Sequence, residues 1–143
     1  MTMNAPEPEV QTLGSVELRI PARAEWVAVA RLAAAAVGSR MRFSVDEIDD
    51  LKLAIAEACT NIIQRSEGIE NIDLRWDAGP TELRITVSGD GRAPKLESVK
   101  GADDENKVGG LGIFLIRALM DTVEYEIDPQ AGARLVMSKI VTQ

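Results

Sequence analysis

Glu57 and Asn61 stand four positions apart, separated by Ala58, Cys59 and Thr60, inside an apolar-periodic run from Ser44 to Ser66. On a helix that spacing lets two side chains reach one point in space. A carboxylate beside a carboxamide could hold a hydrated divalent cation, take a proton, or simply face water. Two glycine clusters follow downstream, Gly89-Asp90-Gly91 and Gly109-Gly110-Leu111-Gly112. Glycines let a backbone come close to a ligand. The second cluster opens a helical pattern, where exposed N–H groups and the helix dipole favour phosphate. Neither cluster fits the Walker pattern or the dinucleotide fingerprint, so an anion site here would belong to another nucleotide fold.

The elements that must position these residues can be read from the period. Ile48, Leu51, Ile55, Ala58 and Ile62 form one stripe of a long helix. Ser44 with Glu47 reads as its capping box, and Gly68 lies just past its end. Asp46, Asp50, Glu57, Asn61 and Gln64 fall on one polar line, expected opposite the stripe. An alanine-rich helix from Ala24 to Val37 precedes it, with Trp26, Val29, Ala33 and Val37 on one side. Strands are expected at Val16–Ile20, before Pro21, and around the turn at Ala78-Gly79-Pro80-Thr81, where Ile72, Leu74 and Trp76 and then Leu83, Ile85 and Val87 alternate with polar residues. Gly109–Gly112 opens a helix with Ile113, Ile116 or Leu115, Leu119 and Met120 inside, and two more strands flank Asp128–Gly132. The order β-α-α-β-β-α-β-β implies an α/β (α+β two-layer) sandwich, with helices on one face of a mixed or antiparallel sheet. Residues 1–14 read as a flexible tail and 15–143 as one domain. The segment from Gly89 to Gly109 has no apolar period, and a loop that long is usually functional or disordered.

Composition excludes several classes. The chain has no histidine, which removes His-based triads, Cys–His dyads and the commonest zinc sites. One cysteine, Cys59, allows no internal disulfide, and its place in the helix suits core packing. A net charge of −7 argues against a sequence-independent nucleic-acid binder. No run of about 18 apolar residues and no leader pattern is present, so no membrane contact and a cytoplasmic location are expected.

The runs Ile20-Pro21-Ala22-Arg23, Asp46 to Asn61 and Gly109 to Val123 give the pattern a family likeness. The chain resembles the anti-sigma-factor serine/threonine kinases of the bacterial general-stress and sporulation type, in the GHKL superfamily of Bergerat-fold ATPases, over roughly residues 15–141. The resemblance implies a helix layer on a mainly antiparallel sheet, ATP or ADP with Mg²⁺, and partner switching between a sigma factor and a STAS-type antagonist. It implies Glu57 as general base and Asn61 as the Mg²⁺ ligand. Gly109, Gly110, Leu111 and Gly112 would carry phosphates, and the preceding loop would be an ATP lid in which Lys100 or Lys107 approaches the γ-phosphate. A homodimer formed through the first strand is also implied. Two positions depart from the family pattern. The adenine-binding aspartate of its first glycine box, Asp-x-Gly, is replaced by Gly89, with Asp90 one residue late and Gly91 kept. Asp90 could substitute only if a bulge re-aimed it, and restoring aspartate at 89 would be expected to gain an adenine contact. Arg65 stands where many relatives have histidine, and could meet a phosphate, an acidic partner, or solvent alone. The alternative is a binding module with a decayed nucleotide pocket that sequesters its partner without catalysis.

Overall fold

Alternating apolar and polar residues give a sheet that has five antiparallel strands among the described residues, and the 3.6-residue periods give the helices that cover one side of it. The computed structural model describes residues 13–91, 110–128, 130 and 132–142. Strand β1 (Gly14–Pro21) leads through a 3₁₀ turn (Ala24–Trp26) into helix α1 (Val27–Gly38) and then α2 (Val45–Gln64). The hairpin β2 (Asn71–Ala78) and β3 (Glu82–Gly89) follows, then α3 (Gly110–Leu119), β4 (Thr122–Asp128) and β5 (Gly132–Ile140). The sheet order is β1-β2-β3-β5-β4, and all four neighbouring pairs are antiparallel. The last strand therefore inserts beside β3 and leaves β4 at the edge.

Helix α2 starts as its sequence dictates. The Ser44 side chain accepts from the Glu47 N–H (3.1 Å), and Glu47 Oε1 accepts from the Ser44 N–H (2.8 Å), a reciprocal cap that satisfies two end groups. Its stripe of Leu51, Ala54, Ile55, Ala58 and Ile62 is fully buried against Trp76, Leu83, Ile85, Val87, Leu135 and Met137 of the sheet. Each large side chain so buried contributes about 1.5–3 kcal/mol.

Helix α1 differs from expectation by one position. Val27, Ala30 and Ala34 face the core, while Trp26 (44%) and Val29 (38%) remain exposed. Alanine at nearly every turn offers two apolar stripes, and the smaller one wins because it lets α1 approach α2 closely. A Cβ on Gly38 would lie 2.9 Å from Leu51 Cδ1.

Among the described residues nothing covers the other face of the sheet, which is polar. Arg19 pairs with Asp73 (2.7 Å), and Arg75 pairs with Glu17 (2.7 Å) and Asp77 (2.9 Å) across β1 and β2. Such exposed pairs are each worth at most about 1 kcal/mol, so they keep the face wet rather than hold the sheet. Among the described residues, no helix is long and apolar enough to cross a membrane.

Candidate functional site

The C-terminal half of α2, the N-terminus of α3 and the ends of β3 and β5 meet at one end of the sheet. Glu57 is half-buried on α2, and Asn61 is 4% exposed. Asn61 thus departs from the solvent-facing line expected of it. It sits at the margin of the buried stripe, where α3 crosses it. The crossing is close because position 112 has no side chain. A Cβ there would lie 3.4 Å from Glu57 Oε1 and 3.8 Å from Asn61 Nδ2. The first turn of α3 therefore rests on the carboxylate and carboxamide, and its first N–H groups have no partner within the helix. At the far end of α3, Lys139 Nζ donates to the Leu119 carbonyl (2.8 Å), placing a cation at the negative end of the dipole.

The three glycines at the sheet end have distinct reasons. At Gly89 a Cβ would fall 2.5 Å from Ile69 Cδ1 and 2.9 Å from Ile62 Cγ2, so that space is already filled by side chains. Gly89 does not have a positive φ. The expected gain from an aspartate at 89 therefore meets a packing barrier rather than a backbone one. At Gly91 a Cβ would lie 2.6 Å from the Glu67 carbonyl oxygen and 2.8 Å from the Ile69 nitrogen, so only glycine fits against that loop. Gly132, with φ +93°, packs so closely on the Gly91 carbonyl that a side chain is excluded there too.

Asp90 is not re-aimed by a bulge. Its carboxylate accepts from the Glu70 N–H (2.8 Å), the Asn71 N–H (3.0 and 3.1 Å to its two oxygens) and Asn71 Nδ2 (3.1 Å). Those bonds, the Asn71 backbone first, hold its pKa below the ordinary carboxylate value despite some burial. Asp90 thus ties the end of β3 to the start of β2.

Arg65 caps the C-terminus of α2, half-buried, with no hydrogen bond to its Nε. Its charge offsets part of the upward push that burial gives the Tyr125 phenol. Burial drives the Cys59 thiol up to about 12, which keeps it inert. Leu111 is 74% exposed on α3. Gly110 begins that helix, whereas Gly109, Lys100 and Lys107 lie outside the described residues. Sequence reasoning missed Ile62 and Ile69 as neighbours of Gly89, and Tyr125 as a neighbour of Arg65. No local signal marks such contacts, because each spans two elements.

No group of three or more His, Cys, Asp or Glu among the described residues could hold a metal alone. Glu57 with Asn61 nevertheless suits Mg²⁺, which takes hard oxygen ligands, commonly one or two from protein, and the rest from phosphates and water.

The chain is similar to known proteins over most of its length. A family model described as a histidine kinase-like ATPase domain matches residues 20–139. The chain is 37% identical over 137 residues to the serine-protein kinase RsbW of Bacillus cereus, covering 88% of this chain and 84% of the relative. It is similarly related to the RsbW proteins of Bacillus mycoides (36%) and Bacillus anthracis (37%), with the same coverage.

Proposed function

The chain belongs to the histidine kinase-like ATPase domain family, and on that premise we propose that it is an ATP-dependent protein serine/threonine kinase that also acts as an anti-sigma factor. The observation that carries the reading is the seating of the α3 N-terminus on Glu57 and Asn61, made possible by Gly112. A carboxylate and a carboxamide then lie against a helix start whose first backbone donors would be available to the same ligand. The first-turn amides of α3, from Gly110, Leu111 and Gly112, would receive phosphate oxygens. Asn61 would hold Mg²⁺, and the ion when bound would neutralise charge on the triphosphate. Glu57 would accept the proton of the substrate serine as its oxygen bonds to the γ-phosphorus and the bond to the β-phosphate oxygen breaks. The base of the nucleotide would reach the sheet end at Gly89–Gly91. Arg65, at the end of the same helix, would add positive charge to the cleft wall, and the lid lysines Lys100 and Lys107 belong to the same reading.

The substrate class we assign is a serine or threonine on a STAS-type antagonist, with a sigma factor as the protein held in its absence, inside the cytoplasm of a bacterial cell. The homodimer belongs to this proposal as well. Strand β1 is a sheet edge, Leu13 (72%) and Val16 (43%) are exposed beside it, and an apolar groove of 460 Å³ runs between β1 and α1 past Ala33, Val37, Met41 and Trp76. A second copy would cover that edge.

The test is transfer of radiolabelled γ-phosphate from Mg-ATP to a purified STAS-domain protein encoded near this gene. Phosphoserine or phosphothreonine on the acceptor is expected. Nucleotide binding with no transfer to any such acceptor would leave a sequestering module instead.

A further inference from the structure

The end of β3 carries no side chain that distinguishes a 6-amino purine from a 6-keto purine. A carboxylate is acceptor-only, so beside a base it rewards the exocyclic amino group of adenine and repels O6 of guanine. Two positions at this strand end could present one, 89 and 90. Position 89 has no side chain, and Ile69 Cδ1 and Ile62 Cγ2 occupy the space that even a Cβ would need. Position 90 has a carboxylate, but three donor groups at the start of β2 already hold both of its oxygens. Turning it inward would break its bonds to the Glu70 N–H, the Asn71 N–H and Asn71 Nδ2, all of them charge-assisted. The side chains that adjoin position 89 are Ile62, which is fully buried, and Ile69, and an apolar side chain reads neither purine edge.

We infer that the Gly89–Ile69 pair makes this a purine-tolerant site, taking guanine and hypoxanthine triphosphates nearly as well as ATP. The inference rests on the nucleotide-site reading above. It adds that Ile69 is a specificity-determining residue, because it holds the volume in which a base-reading side chain would stand. A site built to hydrogen-bond one group rejects an analogue lacking it by roughly 10⁴–10⁵, whereas an apolar wall discriminates by only about 10–200.

Calorimetric titration of the full chain with Mg-ATP, Mg-GTP and Mg-ITP tests this. Dissociation constants for the three within about tenfold of one another are expected. A preference for ATP clearly beyond that tenfold range would overturn the inference and leave the nucleotide site standing. No binding of any of the three at millimolar concentration would remove the nucleotide reading itself. The double variant Gly89→Asp/Ile69→Ala, which removes the nearer obstruction, leaves a small shift of Ile62 Cγ2 to complete the space and supplies the acceptor, should shift the ATP-to-GTP ratio at least about tenfold towards ATP. Asp90→Asn in the wild-type background should leave that ratio where it was, even as the β2–β3 tie weakens. A loss of ATP preference in Asp90→Asn would mean that Asp90 reads the base, which contradicts the inference.

Discussion

At the scale of single residues, Glu57 and Asn61 have separable roles. Asn61→Ala should weaken Mg-dependent nucleotide binding, because the proposed metal ligand is gone, and should leave metal-free nucleotide binding less affected. Titrations with and without Mg²⁺ separate the two, and equal loss in both would indicate a packing role for this buried side chain. Cys59 gives a second prediction. With its thiol pushed up to about 12 by burial, it should resist thiol reagents in the native state at neutral pH. Its modification rate should then follow global unfolding across a denaturant series, and fast labelling without denaturant would show that α2 opens locally. These two side chains also mark how far sequence carried the site. Glu57, Asn61 and the glycines were legible because helix spacing and glycine clusters are local signals. The burial of Asn61 was not, because α3 covers it from about fifty residues away.

At the scale of elements, α2 was readable from end to end, since its cap, stripe and stop are all local. The α1 stripe was read only in part, since Ala33 and Val37 pack partly against the core while Trp26 and Val29 are exposed; alanine fits either side of a helix, and only the packing partner chooses between them. The insertion of β5 between β3 and β4 was equally hidden, because alternation shows which face of a strand is buried but not which strand lies beside it. The connector between α1 and α2 holds a cost that can be relieved. Arg42 is exposed and adopts φ 67°, a left-handed conformation that costs a non-glycine residue about 1–2 kcal/mol. Arg42→Gly should therefore raise stability by up to about 1 kcal/mol in urea unfolding, the relieved strain being partly offset by glycine's greater chain entropy. A destabilised Arg42→Gly variant would mean that the arginine side chain holds the connector. At α3, Gly112→Val should drive a branched side chain into Glu57 Oε1, already 3.4 Å from the Cβ position. Nucleotide binding should fall in that variant while the fold, read by circular dichroism, persists.

At the scale of the whole molecule, acid should loosen two ties at once. Glu47 in the α2 cap and Asp90 at the β2–β3 tie both have pKa values held below their ordinary 4.5 and 3.8. Their contribution is therefore full above about pH 4.5 and fades as pH falls through the lowered folded values. Both groups are largely exposed, so the loss should be modest. Asp90→Asn should flatten the acid limb of the stability curve, and an unchanged limb would show that other carboxylates dominate it. Assembly gives another measurement at this scale. Val16→Asp, at the exposed β1 edge, should convert a dimer to monomer in sedimentation equilibrium, and a dimer that survives would place the interface elsewhere. The central claim is that Glu57 performs proton transfer for a kinase rather than supporting a passive nucleotide pocket. The most direct measurement pairs Mg-ATP titration with single-turnover phosphotransfer to the acceptor protein, in wild type and Glu57→Gln. Affinity should stay within a few-fold while the transfer rate falls by about 10²–10⁴. Transfer at the wild-type rate in Glu57→Gln, with affinity unchanged, would contradict the account.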